Sequence, residues 1–260
     1  YKQVVRIDAE ITDNTALISL FVPKLKIPNK ILISANLNTE SESLLASVSI
    51  PKIKFDNLKA NDFVSNVYVK NGEIDMFLSM PEIILNDSVL VKDISILAKG
   101  TKDDLGFTIN ASDRTEKSGL NLLGNIDYVG NLYNLKLDTN STIFINNSFW
   151  NLAKENLISF NNKYFDADFK VFHDKSEVNF KVNKLNGENN LLVNLKDIDV
   201  DDFNEFLLNK GINLQGKLNG EVKIDNFDKE PAISGDLSVL NILVNDYLIG
   251  DFKIDSRVDL

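Results

Sequence analysis

Apolar and polar residues alternate along most of this chain, and this period of two constrains its fold more than any other feature. In residues 212–225, INLQGKLNGEVKID, every even position is apolar or glycine and every odd position is polar or charged. The even positions of residues 248–260 follow the same rule, with Ser256 as the one exception. Because successive side chains of a strand point to opposite faces, the alternation predicts strands with one apolar and one wet face.

The alternation recurs upstream, for example in residues 31–37, 74–80 and 120–128, and turn residues such as Asn71-Gly72 separate the segments. No long helical pattern stands between them, which argues against parallel βαβ units. The sequence therefore predicts an all-β fold: an elongated, curved antiparallel β-sheet that forms an open apolar groove. We expect one continuous segment over residues 1–260, weakly subdivided into 1–139 and 140–260. Both ends fall within strand-like sequence, so we expect an excerpt from the middle of a longer chain.

One short helix is predicted at residues 201–210, DDFNEFLLNK. Acidic residues begin this segment, Lys210 ends it, and Gly211 follows at the position of a left-handed cap. Residues 149–157 are expected to hold an irregular turn or a second brief helix.

Composition excludes several classes of function. Lys plus Arg number 28 and Asp plus Glu 38, giving a net charge of −10. This acidity argues against binding nucleic acid or an anionic membrane surface. Cysteine is absent and His173 is the one histidine, which removes disulfides, thiolate zinc sites and paired-histidine metal sites. With no catalytic motif present, we expect a protein that is not an enzyme and has no cofactor or metal.

An acidic run at residues 197–205 first suggests calcium. An EF-hand loop that starts at Asp197 would place Asp202 where glycine is required and Leu208 where a bidentate glutamate is required. The run is better explained as a strand end followed by the acidic start of a helix.

The apolar face needs a cover, and the sequence leaves three arrangements open. A barrel would cover it by closure of the sheet on itself. A β-sandwich or adhesin-like binding module would cover it with a second sheet. An open groove would cover it with lipid, and the glycines on this face favour strong curvature. For the groove, the residues expected to line it are the apolar members of the last three strands: Leu214, Leu218, Val222, Ile224, Ile233, Leu237, Leu248, Phe252, Ile254 and Val258.

The second half of the chain resembles the TamB/AsmA-like superfamily, in particular its translocation and assembly module proteins. The resemblance rests on Phe149-Trp150 followed by residues 155–160, ENLISF, and on the strand, helix and "L-x-G-x-L-x-G" succession of residues 190–220. It also rests on residues 231–237, PAISGDL, and 248–255, LIGDFKID. The match covers residues 140–260, whereas residues 1–139 share the strand style alone.

This resemblance implies a periplasmic segment of an inner-membrane-anchored protein from a Gram-negative (diderm) bacterium. It implies a β-taco groove whose apolar interior carries phospholipid acyl chains towards the outer membrane. It further implies an Omp85-type outer-membrane β-barrel as partner of the parent chain, with the inner-membrane anchor lying outside this excerpt.

Overall fold

The computed structural model describes residues 2–12, 24–85, 88–145, 147–185, 188–201, 204, 211–226 and 231–259. Nineteen strands lie in these ranges, and the pairings between them are antiparallel. The predicted all-β antiparallel fold is therefore confirmed. Contacts divide the chain into an N-terminal unit, residues 1–127, and a C-terminal unit, residues 128–260.

The N-terminal unit is a meander of long strands. Strand β1 pairs with β3, β2 pairs with β4, and β3 to β8 each pair with the next strand along the chain. The strands are β1 Val4–Ile11, β2 Leu25–Lys26, β3 Ile31–Asn38, β4 Ser43–Phe55, β5 Leu58–Lys70, β6 Glu73–Leu85, β7 Ser88–Thr101, β8 Asp104–Ser112 and β9 Gly119–Val129.

The C-terminal unit combines short strands with a second meander. Strand β10 pairs with β13, and β12 pairs with both β11 and β14. From β13 onward each strand pairs with the next. The strands are β10 Leu132–Leu137, β11 Thr142–Ile145, β12 Ser148–Leu152, β13 Leu157–Phe160, β14 Phe165–His173, β15 Ser176–Leu185, β16 Glu188–Asp199, β17 Leu214–Asp225, β18 Ala232–Val244 and β19 Tyr247–Asp259.

Two local predictions meet different outcomes. In the segment 201–210, Asp201 and Asn204 lie in short 3₁₀ turns, and the other residues of the predicted helix lie outside the described ones. The irregular turn predicted within residues 149–157 is present, because residues 153–156 leave the strands and turn at Lys154 and Glu155. Residues up to Leu152 belong to β12, and Leu157 begins β13, because this part of the chain pairs with β11 and β14.

At one level of the N-terminal unit, the alternation of apolar and polar residues shifts by one position in four neighbouring strands. In four consecutive strands, two apolar residues stand three positions apart instead of two: Ile50 and Ile53, Ala60 and Phe63, Met80 and Ile83, Val91 and Ile94. The register sets these steps side by side, with Pro51, Asp62, Pro81 and Asp93 between them. Asp62 and Asp93 have left-handed backbone, with φ of 52° and 54°. Such residues re-aim the side chains beyond them, which keeps the apolar set on one face.

Candidate functional site: an apolar sheet face

The apolar face of the C-terminal unit is built from rows of directly paired residues. Paired residues of an antiparallel sheet lie on the same face. One row runs through Ile158, Ala167, Val182, Leu191, Ile224, Ile233 and Val258. A second row runs through Phe169, Phe180, Val193, Val222 and Gly235. Five to seven strands thus present a continuous apolar surface.

Eight of the ten residues predicted to line the groove lie on this face, four in the two rows above and four in the next two rows. Ile224, Ile233 and Val258 form one set of neighbours, Leu237 and Ile254 another, and Leu218 and Phe252 flank Val239. Val222 lies opposite Val193 and Gly235.

The other two predicted lining residues occupy different rows. Leu214 lies opposite Val244, whose partner on β19 is Tyr247. Leu248 lies opposite Leu243, whose partner on β17 is Gln215. A register shift in β18, near the left-handed Asn241, separates these rows from the rest. Beyond this shift, the alternation in the sequence no longer tells which residues share a row with the other eight.

Across β10 to β16 this face has a closed end and an open end. Trp150 and Ile198 are each 1% exposed, and Leu152 and Val171 are also buried. They lie where β12 meets the end of β14 and where β16 bulges. At the opposite end of β14, Phe165 remains 37% exposed, and in the same row Tyr133 of β10 remains 44% exposed.

An aromatic stripe marks the open end. Tyr133 lies opposite Phe160, and Phe160 lies opposite Phe165. The ring centroids of Tyr128 and Tyr133 are 4.8 Å apart, those of Tyr133 and Phe160 5.5 Å, and those of Phe160 and Phe165 6.4 Å. We call Tyr128, Tyr133, Phe160 and Phe165 the aromatic stripe.

Sequence reasoning assigned no lining residues to the N-terminal unit, which carries a comparable face. One row joins Ile33, Val48, Ser65, Leu78, Ile96, Ile109 and Leu122 across seven strands. The next row joins Ala35, Ala46, Val67, Met76, Ala98, Phe107 and Gly124. The signal was available, because residues 31–37 and 74–80 show the same alternation as residues 212–225.

Both faces are only partly covered. Along the two rows of the N-terminal unit, only Ala98 and Phe107 are buried, and the other members are half-buried. A dry core would bury most of these side chains, so the described residues do not by themselves complete one.

The opposite faces carry the polar side chains of the alternation and their hydrogen bonds, with exposed apolar residues such as Leu45 and Leu97 among them. In the N-terminal unit, Asp8 accepts hydrogen bonds from Ser34 and Arg6, which lower the pKa of its carboxyl group. A depression of 520 Å³ lies on this polar face around Ser34, Ser47 and Asn66. The described residues that line it include no convergent set of catalytic groups.

The polar face of the C-terminal unit carries a depression of 640 Å³ around Lys170, Glu177 and Lys196. The Lys170 ammonium and the Glu177 carboxylate are 2.7 Å apart, so their charges compensate each other. Acidic and basic side chains are mixed around the rest of its rim, and this gives the depression no single charge with which to select an ion.

The histidine and the acidic run have structural surroundings. His173 Nδ1 lies 2.7 Å from the Phe149 carbonyl oxygen, and its ring packs 5.8 Å from that of Trp150. The Asp197 N–H donates to Asn219 Oδ1, and the Asp199 carboxylate pairs with Lys217. In the part of the chain that the structure describes, no group of three or more His, Asp or Glu side chains is arranged to hold a metal ion.

Comparisons of the chain with protein-family models, with curated proteins and with solved structures found no match. Among the described residues, no helix has the length and apolar character needed to cross a membrane.

Proposed function

We propose that the apolar faces of the two units bind phospholipid acyl chains, and that the protein is a non-enzymatic segment of a bridge-like lipid-transfer or outer-membrane assembly protein. One observation carries the proposal: long apolar rows cross the strands of each unit, yet most of their side chains are only half-buried. Apolar surface of this extent is stabilised when it leaves water. A bound acyl chain contributes about 0.8 kcal/mol for each buried CH₂ group.

The dimensions suit an acyl chain. Strand β14 advances eight residues from Phe165, at the open end, to His173, at the closed end. At about 3.3 Å per residue this distance is about 26 Å. The hydrocarbon of one membrane leaflet is about 15 Å thick, so an acyl chain fits along the strand direction with room to spare.

The wider setting of the proposal rests on the resemblance to the TamB/AsmA-like superfamily. In that setting the segment lies in the periplasm of a diderm bacterium, belongs to a protein anchored in the inner membrane, and works with an Omp85-type outer-membrane barrel. The acidic net charge of −10 fits a groove that attracts lipid through its apolar face and not through basic residues.

The test is native mass spectrometry of the purified chain, joined to extraction and identification of lipid. We expect phospholipid to co-purify. A protein that carries no lipid, and takes up none from phosphatidylethanolamine vesicles, would overturn the proposal and favour the sandwich or adhesin-like alternative.

A matched pair of variants separates lipid binding from folding. Val222→Asp places a carboxylate between Val193 and Gly235 on the apolar face. Ser234→Asp places the same group between Lys223 and Arg257 on the polar face. We expect bound lipid to fall in the first variant and to stay unchanged in the second, while the β-sheet circular dichroism signal survives in both.

A further inference from the structure

We propose that the aromatic stripe holds the polar–apolar junction of the bound phospholipid, so that the headgroup leaves the C-terminal unit at the stripe and the acyl chains run towards Trp150 and Ile198. This inference rests on the proposed function and adds an orientation to it.

The first argument is the gradient of burial along the strands. The end of the face near Trp150, Leu152, Val171 and Ile198 excludes water. A charged headgroup placed there would lose its hydration without a compensating partner, which is strongly unfavourable. The end near Tyr133 and Phe165 is exposed and leaves the headgroup in water.

The second argument is the chemistry of the stripe. It lies one row beyond Leu135, Ile158 and Ala167, at the margin of the apolar face. Tyrosine rings combine an apolar body with a polar tip, and they concentrate where hydrocarbon meets water. The Tyr128 hydroxyl donates to Asn131 Oδ1 in the adjoining turn, so its polar tip faces the wet side of the margin.

The third argument is the asymmetry of the aromatic residues. At the closed end, Trp150 is buried against His173, so its ring does not lie at a boundary between apolar surface and water. Across β10 to β16, as far as the structure describes these strands, only the end at the stripe therefore has the amphipathic character that a lipid junction needs; the exposed Tyr247 at the other end of the face lies on β19.

The experiment uses the absence of native cysteine. A single cysteine is introduced at the open end by Tyr133→Cys or further inward by Phe180→Cys, two positions with exposed side chains, and each is labelled with a fluorophore. Phe180 pairs with Phe169, four residues along β14 from Phe165, about 13 Å deeper. Each labelled protein is loaded with phosphatidylcholine that carries a nitroxide either next to the ester or near the chain terminus.

We expect the ester-proximal nitroxide to quench the label at residue 133 more than the terminal nitroxide does. At residue 180 the balance shifts towards the terminal nitroxide. An equal balance at the two positions, or the opposite order, would overturn the orientation while leaving lipid binding in place. Absence of quenching together with absence of lipid in native mass spectra would instead refute the proposed function itself.

Discussion

The side-chain amide of Asn156 pairs with the backbone of Lys170 as a neighbouring strand residue would. Asn156 Oδ1 accepts the Lys170 N–H at 2.8 Å, and its Nδ2 donates to the Lys170 carbonyl at 3.2 Å. Asn156 is buried and stands just before β13, where the chain leaves the ladder between β12 and β14. Asn204 makes the same pair of bonds with Leu214.

Replacing Asn156 by alanine is expected to destabilise the C-terminal unit. The Lys170 carbonyl keeps a bond from the Ala153 N–H, but the Lys170 N–H loses its partner. One buried unsatisfied donor costs about 1–3 kcal/mol. Urea unfolding measures the change, and Asn151→Ala, at an exposed site in β12, is the control with little expected effect. Equal midpoints for the two variants would contradict the structural role of this amide.

Strand formation and the sidedness of strands could be predicted because they depend on local chemistry. In β17 the type of each residue, apolar or polar, directly predicts the face of the sheet on which it lies. The role of Asn156 could not be predicted, because its partner Lys170 is fourteen residues away and is reached only after β14 has paired. Before that pairing, asparagine indicates a turn or a wet face.

The phase change in the N-terminal unit escaped prediction for a related reason. A single strand that places Pro51 or Asp93 between apolar residues looks like a lapse in the pattern. The four lapses become one feature only when the register sets them side by side. The contrast between a closed and an open end of the C-terminal face likewise depends on burial, and alternation alone contains no information on it.

The close approach of the Asp236 backbone to Gly220 predicts a second effect on stability. A Cβ at Gly220 would lie 2.0 Å from the Asp236 carbonyl oxygen, and the backbone φ there is 135°. Gly220→Ala must therefore shift β17 from β18 or strain its own backbone, at a cost of about 1–3 kcal/mol.

Gly235 offers the matched control, because it lies in the adjacent strand and on the same face. A Cβ at Gly235 would meet its nearest atom, the Glu221 carbonyl oxygen, at 3.6 Å, an ordinary contact. We expect Gly235→Ala to change the unfolding midpoint far less than Gly220→Ala. The reverse order would show that the close approach of β17 and β18 is not maintained in solution.

Trp150 and its neighbour Phe149 test the closed end of the C-terminal face. Trp150 is 1% exposed and Phe149 62% exposed. Trp150→Ala is expected to cost about 3–5 kcal/mol through lost burial and the cavity left behind, whereas Phe149→Ala is expected to be nearly neutral. The indole Nε1 of Trp150 finds no hydrogen-bond partner among the described residues, so Trp150→Phe loses packing but no hydrogen bond. A cost for Trp150→Ala no larger than that for Phe149→Ala would mean that this end is open.

The Asp113 carboxylate predicts a pH dependence in the turn between β8 and β9. Burial acts to raise its pKa, but hydrogen bonds from the Thr115 hydroxyl and from the backbone N–H groups of Ser118, Lys117 and Glu116 outweigh this effect and lower the pKa. The Lys117 N–H donates to Asp113 Oδ1 at 3.0 Å, and the Ser118 N–H donates to the same oxygen at 3.3 Å. A group with a lowered folded-state pKa stabilises the fold above its unfolded pKa, and this contribution is lost as the pH falls through the folded value.

Asp113→Asn should therefore be less stable than wild type at neutral pH, because the neutral amide accepts weaker hydrogen bonds than the carboxylate does. The difference should begin to narrow as the pH falls below about 4, where the carboxyl group of the unfolded chain takes up a proton. It should close as the pH falls through the lower pKa of the folded state. Urea midpoints measured between pH 7 and the lowest pH at which wild type stays folded give the comparison. Asp103→Asn, at a carboxylate 63% exposed in the preceding hairpin, serves as the control. A difference in urea midpoint between Asp113→Asn and wild type that stays constant with pH would contradict this prediction. It would mean that the loss of stability does not depend on the charge of the carboxylate.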